Sequence, residues 1–153
     1  MKKLLWLLLL LGLAAAGVYL AREGLVPGLP SDIGVLKEKS ARFMECLKFK
    51  DFQEAARFHS PEDLKANPNI PKLLEKFFLI PPENLDVQHN QIDFAEIDST
   101  GLRGRVKTTS SVNVLNQGQK ESRRVEAVLY WKKIGPNWYL DLRTTLERTG
   151  VGF

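Results

Sequence analysis

The order of apolar and polar residues divides the chain into a leader and a patterned remainder. Behind Met1-Lys2-Lys3, the stretch Leu4–Ala21 is apolar throughout except at Gly12 and Gly17. Two lysines ahead of a leucine-rich run make an export segment, because the basic flank stays on the cytoplasmic side. Ala14-Ala15-Ala16 offers an A-x-A-like cleavage site before Gly17. Against cleavage, residues 4–21 would form ~27 Å of helix at ~1.5 Å per residue, enough to span a bilayer. Tyr19 and Arg22 would then mark the far interface. An uncleaved membrane anchor is the preferred reading, and a secreted form cut near Ala16 is the alternative. In both, the remainder lies outside the cytoplasm, facing the periplasm or the cell exterior. No Cys follows the apolar run, which excludes a lipid-modified N-terminal cysteine.

Residues 22–31 hold two Pro and two Gly and read as a linker. From Ser31-Asp32 the spacing predicts a helix with Ile33, Leu36, Phe43 and Leu47 on one face and Ser40 at the matching position between them. Asp51 offers an N-cap to a short helix carrying Phe52, Ala55, Ala56 and Phe58. Ser60-Pro61-Glu62-Asp63 starts another, with Ser as cap, Pro at the first helical position and acids complementing the dipole. Asn67-Pro68-Asn69 interrupts the chain. Pro71 opens a further helix with Leu73, Leu74, Phe77 and Phe78, which Pro81-Pro82 ends.

After about Asn84 the period changes from helical to alternating. Leu85–Ile97 is a predicted strand whose alternation slips near His89–Ile92, as at a bulge. Asp98-Ser99-Thr100-Gly101 is a turn. Leu102–Leu115 then sets Leu102, Val106, Val112 and Val114 on one face, with Arg103, Arg105 and Lys107 on the other. A third strand, Ser122–Ile134, follows the turn at Asn116-Gln117-Gly118-Gln119. Gly135-Pro136-Asn137 leads into a fourth, Trp138–Leu146, with Trp138, Leu140, Leu142 and Leu146 aligned. The expected fold is α+β: N-terminal helices packed on a curved four-stranded antiparallel sheet over residues 32–148, with a tail at 149–153. One hydrophobic N-terminal helix precedes it.

Two stretches carry a family resemblance: the helix Phe52-Gln53-Glu54-Ala55-Ala56-Arg57-Phe58-His59-Ser60-Pro61, and the hairpin that runs from Leu129 through Trp131, Gly135 and Trp138 to Leu140. An aromatic strand, a Gly-containing turn and Trp-x-Leu together resemble the ending of the cystatin-like cone superfamily, also called nuclear-transport-factor-2-like or SnoaL-like. The resemblance covers residues 33–148 and implies a cone whose pocket, in the enzymes, uses an Asp or His as general base. Members of that superfamily include isomerases, dehydratases, transport adaptors and membrane-anchored secretion-system subunits, so the fold selects no function.

Composition adds exclusions. Of the 44% apolar residues, 17 fall within the first 21 positions, and what remains suits one small folded domain. Cys46 is the only cysteine, so no intrachain disulfide forms, and its helix face makes it a buried, inert thiol. The chain has no C-x-x-C, H-E-x-x-H, G-x-S-x-G, P-loop or G-x-G-x-x-G motif, and only two His. No metal and no cofactor is expected. The candidates for catalysis are His89 and Asp93, four apart on one strand, and Asp141, between Tyr139 and Arg143 on the last strand. His59 precedes the Ser60 cap near a helix end. A His there complements the helix dipole, with pH sensing or ligand binding as the alternative.

Charge is the more distinctive feature. The net charge is +4, but residues 22–100 hold ten Lys/Arg against fourteen Asp/Glu, and residues 101–153 hold ten against four. Arg103, Arg105 and Lys107 form a stripe on one sheet face, and Arg123-Arg124 open the adjoining strand. That face is a candidate contact for an anionic envelope component or an acidic protein. The preferred reading of the same face is the solvated side of a one-faced sheet, where like charges also blunt aggregation. Nucleic acid is not an expected partner, because the aromatics do not interleave with the basic residues. Three functions remain open: a non-catalytic envelope binding or scaffold module, which is preferred; a small pocket enzyme or ligand carrier; and an assembly subunit that forms homo-oligomers.

Overall fold

A computed structural model describes residues 31–75, 82–116 and 118–148. The apolar leader, Phe77, Phe78 and the tail at 149–153 lie outside the described residues. The chain divides after Val35 into two units. Of the first, only the start of helix α1 (Asp32–Lys48) is described, where Ser31 Oγ caps the helix by accepting the Gly34 N–H at 2.9 Å. No helix among the described residues is long and apolar enough to cross a membrane.

The second unit is α+β. Three short helices follow α1: α2 (Phe52–Ala56), α3 (Pro61–Ala66) and α4 (Ile70–Glu75). A single 3-10 turn, Pro82–Asn84, precedes the sheet. Its strands are β1 (Leu85–Ile97), β2 (Arg103–Asn116), β3 (Gln119–Ile134) and β4 (Asn137–Leu140), antiparallel and in the order β1-β2-β3-β4. Helix α5 (Leu142–Arg148) closes the described chain.

Local chemistry explains the helix boundaries. Helix α1 ends with Lys50 at φ 59, where the Lys50 N–H donates to Leu47 O and the Asp51 N–H to Cys46 O. This paired pattern is the Schellman motif, with Lys in the left-handed position usually held by Gly. Asp51 then caps α2 through Oδ1, which accepts the Glu54 N–H at 2.9 Å. At α3, Ser60 Oγ accepts the Asp63 N–H at 3.2 Å and donates to the Asp63 carboxylate at 2.7 Å, a reciprocal cap.

The core lies on the helix-side face of the sheet. Leu36, Phe43, Leu47, Leu74, Val106, Leu129, Trp131, Trp138 and Leu140 are all buried. Phe58 makes edge contacts with Phe43 at 5.8 Å and Trp131 at 6.3 Å between centroids, stitching α1 to β3. Gly104 lies opposite Trp131 in the β2–β3 register, and its missing side chain leaves the space that Leu36 fills. At the far end of β1 and β2, Leu85, Val87, Val112 and Val114 form a separate apolar cluster.

Three expectations need correction. The predicted strand Trp138–Leu146 stops at Leu140, and Leu142 and Leu146 face inward from helix α5 instead. Spacings of two and four coincide along Trp138, Leu140, Leu142 and Leu146, so a strand and a helical turn read alike there. The break comes from Asp141, whose carboxylate accepts the Thr144 N–H at 3.1 Å and the Thr144 hydroxyl at 2.8 Å. Leu102 is 57% exposed and precedes β2, because Asp98 holds the turn closed by accepting from the N–H groups of Leu102 and Arg103. Cys46 is half-buried rather than buried. The slip near His89–Ile92 resolves into two register shifts, one between Val87 and His89 and one between Ile92 and Phe94.

Candidate functional site

An open groove of about 450 Å³ lies where α3, α4 and α5 meet β3. His59 and Asp63 line it from the α2–α3 corner, Ile70 and Leu73 from α4, Lys132 from β3, and Asp141 with Leu142 from the start of α5. The fold brings these distant residues together through the edge of β4. The Leu140 N–H donates to Phe58 O at 2.8 Å, so the corner before His59 lies against that strand. The Asp141 N–H donates to Tyr130 O at 2.8 Å, which swings α5 onto β3.

His59 is the least solvated polar group of the groove, at 2% exposure. Its Nδ1 lies 2.8 Å from Ala56 O, and a carbonyl only accepts, so Nδ1 carries the proton. Nε2 is therefore a lone-pair acceptor, and it is buried with no hydrogen-bond partner among the described residues. Ser40 Oγ and Trp131 Nε1 are also buried without a partner, but neither residue lines the groove. Burial pushes the His59 pKa below the ordinary imidazole value; Lys132 reinforces this, while the Ala56 carbonyl, Asp63 and Asp141 oppose it. The ring is neutral at pH 7.

The charges beside it are paired off. Lys132 Nζ meets both Asp63 carboxylate oxygens, at 2.9 and 2.7 Å. Burial pushes Asp63 up, but the hydrogen bonds from Lys132 and Ser60 and the charge of Lys132 outweigh it, leaving the carboxyl below its usual range. Arg143 Nε donates to Glu147 at 2.9 Å one turn along α5. Asp141 is committed to capping α5, and Arg103 approaches it at 3.7 Å. What remains for chemistry is one neutral imidazole acceptor beside the apolar wall of Ile70, Leu73 and Leu142.

The other candidate residues are dispersed. His89 and Asp93 are exposed on β1 beyond the first register shift, and Asp93 accepts from Thr109 Oγ1 at 2.6 Å. Of the three acid–base candidates, only Asp141 reaches the groove. On the basic face, Arg105 is paired with Glu96, Lys107 with Glu126 at 2.7 Å and Arg103 with Asp141. Arg123 does not belong to that face: it lies opposite Val112 on the helix-side face, because neighbours on a strand point to opposite sides, and it pairs with Glu121 at 2.7 Å. Arg124 is exposed on β3. Cross-strand acids thus neutralise most of the stripe locally, although the sheet half carries the excess positive charge. Asp63 and Lys132 were not singled out as site residues from sequence. They are 69 positions apart, and only the place of Asp63 in the first turn of a helix, complementing its dipole, is legible in the sequence.

No family model matches the chain, and no curated protein matches it. Among solved structures, the chain is similar to the crystal structure of the intermembrane space region of chloroplast protein ARC6, with a TM-score of 0.45 and 10% identity, over 71% of this chain and 92% of that one. A likeness this remote assigns no function. Among the described residues, no three His, Cys, Asp or Glu side chains converge as a ligand set. The Cys46 thiol is pushed up, first by burial and then by Asp51 and Glu54, which keeps it protonated and a poor nucleophile.

Proposed function

We propose that this chain is a non-catalytic binding or scaffold module of the cystatin-like cone type, tethered by residues 4–21 with its α+β domain outside the cytoplasm. The observation that carries the reading is the filled helix-side face of the sheet. Trp131 and Trp138, each 1% exposed, occupy the space together with Leu36, Phe43, Leu129 and Leu140. Aromatic side chains occupy the space between α1 and the sheet, where a buried substrate pocket would otherwise lie, and the groove at α3–α5 is open to solvent. The sequence of the leader supports export and tethering.

The test is a fusion of alkaline phosphatase after Phe153, expressed in a bacterial host. Export gives an active phosphatase that stays with the membrane pellet after an alkaline carbonate wash. An inactive fusion would sink the envelope reading, and a shortened, soluble one would replace the anchor with a cleaved signal. The ligand-carrier reading keeps one observation in its favour, the unpartnered His59 Nε2 at the groove. The two readings part on whether a bound small molecule moves the ring resonances of His59.

A further inference from the structure

The two edges of the sheet are treated differently. Edge strand β1 carries two register shifts, a device that blunts an edge against pairing with another chain. Strand β3 pairs with β2 without a shift from Gln119 to Lys132, while β4 covers only Trp131–Ile134 on its other side. From Gln119 to Glu126 every residue of β3 is exposed. The orientation of the edge follows from Tyr130, whose N–H donates to Thr145 Oγ1 at 3.0 Å and whose C=O accepts from Asp141. Both groups of Tyr130 therefore face away from β2. With the two-residue period of a strand, the N–H and C=O groups of Ser122, Arg124, Glu126 and Val128 do the same. Among the described residues no strand pairs with them.

We propose that this stretch of β3 pairs antiparallel with the same stretch of a second copy, about a two-fold axis at Val125. Side-chain chemistry selects both occupant and register. An axis at Arg124 or Glu126 would set like charges directly opposite each other, and one at Arg123 would oppose two guanidinium groups; like charges in that position destabilise a pair. An axis at Ser122 would set Lys120 against Arg124. With the axis at Val125, Arg124 of each copy meets Glu126 of the other, twice. Val125, 47% exposed on the helix-side face, meets its own counterpart in a non-hydrogen-bonded pair, where side chains lie closest. The pairing spans Ser122–Val128 and stops where α5 takes over the edge at Tyr130. This surface lies apart from the His59 groove, and the inference holds wherever the domain resides.

Cysteine cross-linking of the full-length chain in a nonionic detergent tests it, in a Cys46→Ser background with copper–phenanthroline as oxidant. Val125→Cys should give a disulfide-linked dimer, and Leu115→Cys, at another exposed apolar position on the same hairpin, should not. Adding Arg124→Glu or Glu126→Arg to Val125→Cys should slow cross-linking about tenfold, the scale of two cross-strand charge pairs turned repulsive. Combining both exchanges should restore it. The substituted positions are exposed, so unchanged far-ultraviolet circular dichroism verifies that each variant is folded. Equal cross-linking at residues 115 and 125, or failure of the double exchange to restore the rate, overturns the proposal.

Discussion

At the scale of single residues, two groups of the groove tie stability to pH. The His59 pKa is lowered in the folded chain, because the ring is buried neutral. Its contribution is therefore present above the ordinary imidazole value and is lost as pH falls through it, since the unfolded chain takes up the proton more readily. The Asp63 carboxyl is also lowered, by Lys132 and Ser60 against the opposing effect of burial. Its contribution is present above the ordinary carboxylate value and is lost as pH falls through that range. Acid destabilisation should thus come in two stages, beginning below about pH 6.5 with His59 and deepening below about pH 4 with Asp63. Replacing His59→Asn, whose amide can still donate to Ala56 O, should remove the first stage and leave the second. Urea unfolding at about pH 7.5, 5.5 and 3, followed by tryptophan fluorescence, measures this. Equal losses between pH 7.5 and 5.5 in both proteins would refute the His59 assignment.

At the scale of elements, caps and breaks decide more than propensity. Ser31, Asp51 and Ser60 were readable as helix starts because each places a side-chain oxygen three residues before an orphan N–H. The end of α1 was not readable, since Lys50 has none of the usual marks of a left-handed position. Lys50→Gly relieves the unfavourable φ of 59 while keeping both Schellman hydrogen bonds. It should stabilise the chain by about 0.5–1 kcal/mol after the added freedom of the unfolded glycine is deducted. Chemical denaturation measures that gain, and a loss of stability would contradict the strain. The final element was misread for a related reason. Asp141 was weighed as a candidate base beside Arg143, and its position as an N-cap emerges only when Thr144 is seen to donate to it.

For the whole molecule, the core depends on a close approach between the first helix and the second strand. A Cβ added at Gly104 would lie 2.6 Å from Leu36 Cδ1, 3.3 Å from Glu96 O and 3.5 Å from the Trp138 ring. Leu36 is fully buried, so its methyl has nowhere to retreat. Gly104→Ala should destabilise the fold by about 1–3 kcal/mol, the usual scale of overpacking, measured as a lower urea midpoint. A neutral result would mean that helix α1 can lift from the sheet without loss. The same packing bears on the proposed function, because two buried tryptophans fill the sheet face that the helices cover.

The alternation along β1 to β3 and the capped helical starts determined the α+β class and the four-stranded sheet, while the start of β3 and the end of β4 were not legible. Those features are local: hydrophobic periods and capping side chains act over two to four residues, a range that sequence spells out. The charge imbalance between the halves was legible too, as was the lack of a recognised catalytic motif. Only the tertiary structure decided that Lys132 joins Asp63, that His59 keeps a buried lone pair beside them, and that most of the basic stripe is neutralised across the sheet. Those pairings join residues up to 69 positions apart, and strand register and the wrap of the chain around β4, rather than any local pattern, set which side chains meet.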